Sequence, residues 1–135
     1  MFHSEVKIRV RYAETDQMGY VYYGNYAAYF EVARVETLRS LGFSYKTLEE
    51  KGVMLPVMNF SVDYLKPAYY DDLLTIKTTI RELPTARIRF EYETYNEAGI
   101  LINKAETTLV FINKILNRPC AAPSDFLNAI DEFFK

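Results

Sequence analysis

The chain has 135 residues, 50% of them apolar, which fits one compact domain spanning residues 1–135 and excludes a disordered chain or a two-domain enzyme. Sixteen Lys and Arg against eighteen Asp and Glu give a formal net charge of -2, so there is no positive field to hold a phosphate polymer, and nucleic acid is not expected as a partner. The single cysteine, Cys120, cannot form an internal disulfide. No stretch carries the roughly 18 uncharged apolar residues of a membrane helix, and Met1-Phe2-His3-Ser4-Glu5 is not a basic segment leading into an apolar run. A cytoplasmic protein without a membrane span is the expectation.

Val6, Ile8, Val10 and Tyr12 alternate with Lys7, Arg9 and Arg11, the period of a strand with one buried face. From Ala13 to Asn25 the chain carries Asp16, Gly19, Gly24 and Asn25, residues that bond locally or tolerate unusual dihedrals, and reads as a long loop. Tyr26, Phe30, Ala33, Thr37 and Leu41 then recur at helical spacing until Gly42, predicting an amphipathic helix of about four turns. Glu31 and Arg34, a turn apart, are expected to form an exposed pair on it. Ser44 can cap a second, short helix ending at Lys51 and Gly52.

Residues 55–67, 73–82, 86–96 and 100–115 read as strands, clearest where Ile88, Phe90 and Tyr92 alternate with Arg87, Arg89, Glu91 and Glu93. Leu83-Pro84 and Asn96-Glu97-Ala98-Gly99 supply turns between the last three, so these should be antiparallel. Ser124 can cap a final helix bearing Phe126, Leu127, Ile130 and Phe134. The order is α+β. A helix about 22 Å long cannot cover five strands spaced about 4.8 Å apart. Apolar sheet should remain for a second subunit, predicting a homodimer or homotetramer.

The one histidine, His3, sits in a terminus expected to fray, which leaves Ser-His-Asp and Cys-His arrangements without a base. Histidine-rich metal spacing and a Gly-rich phosphate loop after the first strand are both absent. What remains is the loop Tyr12-Ala13-Glu14-Thr15-Asp16-Gln17-Met18-Gly19-Tyr20-Val21-Tyr22-Tyr23-Gly24-Asn25-Tyr26, just before the long helix. The first N–H groups of that helix lack intrahelical partners and lie at the positive end of its dipole, so they can hold an oxyanion. A carboxylate upstream, on a loop folded back at Gly19, can face the same carbonyl. By residue type alone, an Asx turn at Asp16 and a helix cap at Asn25 account for both.

That loop, followed by Tyr29-Phe30-Glu31-Val32-Ala33-Arg34, resembles the active-site loop and central helix of hot-dog-fold acyl-CoA thioesterases, in particular the 4-hydroxybenzoyl-CoA thioesterase family and its branch associated with the Tol-Pal system. Val62-Asp63-Tyr64-Leu65-Lys66-Pro67-Ala68 and Ala105-Glu106-Thr107-Thr108-Leu109-Val110 extend the match over most of residues 5–120. The resemblance implies a long central helix wrapped by a five-stranded, mainly antiparallel sheet. It implies that Asp16 is the catalytic carboxylate, that a backbone N–H near Tyr23 or Gly24 polarises the thioester carbonyl, and that Tyr12 assists. It places Asn25, Tyr26 and Tyr29 on one wall of an acyl pocket, with Val57, Met58 and Phe60 on the other, between the helix and a facing subunit.

The implied activity is hydrolysis of an acyl-CoA to a carboxylic acid and coenzyme A, with no metal or cofactor beyond the coenzyme A of the substrate. A thiolate leaves as the base of an acid of pKa about 8.5 and needs little general-acid help, so one carboxylate can suffice. Asp16 could attack the carbonyl or deprotonate water. Lys66, Arg87 and Arg89 are the cations available to coenzyme A phosphates. Many members of the Tol-Pal branch carry a histidine where this chain has Tyr23, so a non-catalytic acyl-thioester binding or scaffold protein is the alternative; other members are similar to this chain in having tyrosine there.

Overall fold

The computed structural model describes residues 1–135. In chain order it contains β1 (Phe2–Arg9), a 3-10 turn (Tyr12–Glu14), α1 (Asn25–Ser40), α2 (Tyr45–Glu50), β2 (Val53–Met54), β3 (Val57–Tyr64), β4 (Leu73–Ile80), β5 (Arg87–Tyr95), β6 (Leu101–Val110), β7 (Ile112–Asn113), β8 (Arg118–Pro119), α3 (Ser124–Asp131) and a last 3-10 turn (Glu132–Phe134). Five strands form one sheet in the order β1-β4-β5-β6-β3, every neighbouring pair antiparallel, and β2, β7 and β8 form a small second sheet.

The inner face of the large sheet is built from the alternate residues the sequence pattern marks. Leu74, Ile76 and Ile80 of β4, Ile88, Phe90 and Tyr92 of β5, and Leu109 of β6 pack with Tyr26, Tyr29, Phe30, Ala33 and Leu38 of α1 in one core. Phe30 stacks on Tyr92 with ring centroids 4.6 Å apart, tying the helix to the middle of the sheet. On the outer face, Arg81 pairs with Glu91, and Arg89 with Glu106, an exposed lattice of charge worth little per pair.

The helix lies mainly against β1 and β4. At the other edge β3 stays open, with Val57, Met58, Phe60 and Tyr64 exposed. An edge strand with unpaired backbone groups and exposed apolar side chains is a template for another chain.

Several expectations need correction. The first strand occupies Phe2–Arg9, not 6–12. Tyr12 leaves the sheet in the 3-10 turn, 76% exposed, because the chain must turn away before reaching α1. His3 is not frayed, since β1 pairs with β4 over its whole length and the ring meets the Thr79 hydroxyl at 3.1 Å. Arg34 is 7% exposed and makes no pair with Glu31; its Nε donates to the Tyr45 hydroxyl at 2.9 Å, because α2 folds over that side of α1. Ser124 is the first residue of α3, after Pro123, and caps nothing. Ser44 does cap α2, accepting from the Thr47 amide at 3.1 Å.

Candidate active site

The loop between β1 and α1 is fixed at both ends by its own backbone. Thr15 bridges Val21 and Tyr20 bridges Tyr69, while the Val21 amide donates to Ala68 O at 2.8 Å and the Tyr22 amide to Glu14 O at 2.9 Å. The intervening turn closes when the Asp16 amide donates to Tyr20 O at 2.7 Å and the Gly19 amide to Asp16 O at 2.9 Å. Gly19 takes φ +80°, a left-handed value that an L side chain would strain.

Asp16 makes the Asx turn expected of its residue type, but with only half of its carboxylate. Oδ1 accepts from the Met18 amide at 2.9 Å and the Tyr20 amide at 3.2 Å, leaving Oδ2 without a protein partner. The residue is half-buried on the wall of a cavity of about 340 Å³, shared with Met18, Tyr20, Tyr23, Tyr26 and Lys66 among others. A carboxylate gripped at one oxygen has its orientation set while the other oxygen remains available for chemistry.

Glu14, two residues earlier, is spent on structure. Its carboxylate accepts from the Arg11 amide at 2.8 Å, from the Arg11 guanidinium at 2.9 Å and from the Tyr29 hydroxyl at 2.9 Å. Burial pushes its pKa up, but the hydrogen bonds from Arg11 and Tyr29 and the Arg11 charge outweigh that and hold it below the usual glutamate range.

α1 begins beside this turn with Gly24 as its N-cap. The Asn25 amide donates to Tyr22 O at 2.9 Å and the Tyr26 amide to Tyr23 O at 3.3 Å, whereas the amides of Tyr23 and Gly24 find no backbone acceptor. A Cβ on Gly24 would meet the Tyr22 ring at 2.7 Å, so glycine lets that ring lie against the helix start. Tyr22 and Tyr23 pack with centroids 4.8 Å apart, and the Tyr64 hydroxyl donates to Tyr23 O at 3.2 Å.

The residues singled out from the sequence separate into groups. Asp16, Tyr23 and Tyr26 share the cavity, with Gly24 adjoining. Tyr26 is buried and its phenol pushed up to about 12, chiefly by burial, so it stays neutral. Asn25 does not cap α1: its Nδ2 donates to Glu14 O at 2.8 Å, lashing the helix start to the 3-10 turn. Tyr29 is buried beneath Glu14, away from the cavity, its phenol held well above its usual value by burial and the Glu14 bond. Tyr12 leans on Tyr70 at 5.6 Å, outside the cavity.

Val57 and Met58 line a different groove, of about 500 Å³, with Pro56 and Arg87, and Phe60 packs edge-on to Phe30 at 6.0 Å. Of the cations, Lys66 lines the Asp16 cavity and has no ion-pair partner, while Arg89 is consumed by Glu91 and Glu106 on the outer face. Tyr64 and Leu65, which also line the cavity, carry no catalytic chemistry by residue type, and the only sequence signal for them is the resembling segment Val62–Ala68 that contains them. No three His, Cys, Asp or Glu side chains come together as a metal site, and no helix is long and apolar enough to cross a membrane.

A family model described as the thioesterase superfamily matches residues 18–102. The chain belongs to that family. A Bacillus subtilis relative, YneP, is 39% identical over 119 residues, covering 88% of this chain and 86% of its own. The acyl-CoA thioester hydrolase YbgC of Escherichia coli is 34% identical over 120 residues, 89% of this chain and 90% of that one. Among solved structures, a DHNA-CoA thioesterase from Staphylococcus aureus superposes with a TM-score of 0.93 at 36% identity, covering 99% of this chain and 92% of that one. The likeness carries the hot-dog thioesterase fold, and the chain is a hydrolase of the thioesterase class.

Proposed function

We propose that this thioesterase hydrolyses acyl-CoA to a carboxylic acid and coenzyme A, with Asp16 as its catalytic carboxylate. The observation that carries the reading is the free Oδ2 of Asp16, in a cavity that ends at a helix start with two unpartnered amides. The amide of Tyr23 or Gly24 takes the carbonyl oxygen as it gains negative charge, aided by the α1 dipole. In one route Oδ2 attacks the carbonyl carbon and the C–S bond breaks to release the thiolate, leaving a mixed anhydride that water then cleaves to the acid and free Asp16. In the other Oδ2 takes a proton from a water that attacks the carbonyl, and the C–S bond breaks to give the acid and the thiolate directly. Lys66 at the cavity wall supplies a cation for a coenzyme A phosphate.

The acting unit in this reading is a homodimer. Pairing β3 with its copy about a two-fold axis near Phe60 and Ser61 sets the Val57 end of one strand beside the Tyr64 end of the other. That brings the groove of Val57, Met58 and Arg87 to the partner's Asp16 cavity, and is how those residues enter the acyl wall. Phe60→Glu is expected to yield monomers by light scattering and to lose turnover with them; a dimeric variant would move the interface elsewhere.

Thiol release from short, long and aromatic acyl-CoAs, native against Asp16→Asn, tests the chemistry. Asp16-dependent release supports it. Intact acyl-CoA that nevertheless raises Tm in both proteins would replace hydrolysis with binding.

A further inference from the structure

Four residues, Lys114-Ile115-Leu116-Asn117, join β7 to β8 at the tip of a hairpin in the small sheet. Two asparagines close the turn. Asn113 Oδ1 accepts from the Ile115 and Leu116 amides, both at 3.0 Å, while the Asn117 amide donates to Asn113 O at 2.7 Å. Asn117 takes the left-handed φ of +52°, which asparagine tolerates. The Lys114 amide donates to Gly52 O at 2.9 Å and pins the hairpin beside β2. None of these bonds uses the side chain of Ile115 or Leu116.

Those two side chains face solvent. Ile115 is 90% exposed, the highest value among the large apolar residues, and Leu116 is 56% exposed. Neither packs against the core, and neither lines the Asp16 cavity. Turns ordinarily carry Gly, Asn, Asp or Ser, so two aliphatic side chains at a rigid tip give the fold nothing. Their use lies in a contact outside the chain.

The flanks carry charge of one sign. Lys114 and Arg118 are exposed and are the only charged residues from Thr107 to Ser124. Neither has an ion-pair partner. Lys51, beside Gly52, is paired with Asp125, and Glu49 and Glu50 at the end of α2 pair with neither tip cation. In a chain of formal net charge -2, the tip is a local cationic flank around an apolar point.

This combination favours a lipid surface over a protein. Two side chains fall far short of the roughly 800 Å² per partner that a stable protein interface buries. A second copy meeting the tip about a two-fold axis would set Lys114 and Arg118 against their own copies. A bilayer asks for less, because aliphatic side chains enter the acyl boundary while flanking Lys and Arg stay at the level of the phosphates.

We propose that the Ile115–Leu116 tip is a membrane-docking point that enters a lipid surface whose anionic headgroups are met by Lys114 and Arg118. Docking through one tip is weak and reversible, since even a single long acyl chain anchors a protein only marginally.

The chain has no tryptophan, so Ile115→Trp places a lone emitter at the tip and keeps it apolar. Its emission should shift to the blue on vesicles of equal parts phosphatidylcholine and phosphatidylglycerol. Native protein should cosediment with these vesicles about tenfold or more tighter than with phosphatidylcholine alone, and added salt should weaken the preference. Ile115→Ser combined with Leu116→Ser should weaken binding about tenfold or more. Lys114→Gln combined with Arg118→Gln should erase the preference for the anionic vesicles. Both double variants should keep the native Tm and the native mass by light scattering, because these side chains hold nothing in the fold.

Vesicle binding that survives the serine changes overturns the docking point, as does an Ile115→Trp emission that stays unshifted while the protein is bound. Absence of binding to either vesicle also overturns it and leaves a protein groove as the occupant. A serine variant of smaller mass overturns it in favour of a contact between copies of this chain.

Discussion

Glu14 and Asp16 are two carboxylates in one loop, two residues apart, put to opposite uses. Glu14 accepts from Arg11 and Tyr29 at both oxygens and joins the 3-10 turn to the body of α1. Asp16 gives one oxygen to the amides of its own turn and keeps the other free in a cavity. A fully bonded carboxylate has nothing left with which to react, and an unbound one has no fixed direction. The pair shows the division that a rigid site needs, a structural anchor next to a half-held reactive group.

The same isosteric substitution at the two positions breaks the comparison most sharply. Asp16→Asn keeps the turn, because an amide oxygen can still accept from Met18 and Tyr20, but it removes the charge from Oδ2. Turnover is expected to fall by about three powers of ten or more with Tm nearly unchanged. Thiol release and thermal unfolding on one preparation check both halves. A variant with near-native turnover would take Asp16 out of the chemistry.

Gly24→Ala asks whether the helix start matters as the carboxylate does. The φ of -65° at Gly24 suits alanine, so the backbone is not strained, but the new Cβ pushes the Tyr22 ring that lies 2.7 Å away. Displacing that ring shifts the two free amides, and loss of one oxyanion donor costs about 100-fold or more. A partial shift is expected to lower kcat about 10- to 100-fold while KM changes little. Unchanged kcat would move the oxyanion site away from Tyr23 and Gly24.

The sequence carries the sheet well and the loop less well. Alternation in Arg87–Tyr95 specifies an inner and an outer face, and Asn96–Gly99 specifies the hairpin, because both depend on near neighbours in the chain. Arg34 is misread as surface because helical spacing does not reveal that Tyr45, from the next helix, arrives to cover it. Tyr12 is misread as strand because alternation continues past the point where pairing with β4 stops at Arg9. In the loop, residue type gives the Asx turn at Asp16, but only the fold divides its two oxygens. The Gly19 turn beside Asp16 and Arg11 three residues before Glu14 are local differences between the two, but Tyr29, which completes the hold on Glu14, comes from the helix and is not local.

Glu14→Gln sharpens the structural half. Its carboxyl is held below 4.5 in the folded protein, so its ionised form stabilises the fold above that ordinary value, and this contribution is lost as pH falls through the lower folded value. The variant is expected to lose about 1–2 kcal/mol at neutral pH, since Arg11 is itself exposed, with only a few-fold effect on kcat. Its Tm deficit against native protein should shrink as pH is lowered past 4.5. A deficit independent of pH would assign the loss to packing instead of charge.

Tyr29→Phe is the smallest and most selective change. It deletes the hydroxyl that donates to Glu14 Oε1 and leaves the buried ring and its edge contact with Tyr26 in place. Removing one of the bonds that lower the Glu14 pKa lets it rise toward 4.5, so less of the stabilisation that ionisation provides survives at neutral pH. The expected cost is about 1 kcal/mol, smaller than for Glu14→Gln, and it too fades on acidification. The double variant decides whether the hydroxyl acts through the carboxylate: if it does, adding Tyr29→Phe to Glu14→Gln costs less than Tyr29→Phe alone. Additive losses would mean that Tyr29 supports α1 by its own packing, and that Glu14 is anchored by Arg11 without help from the helix.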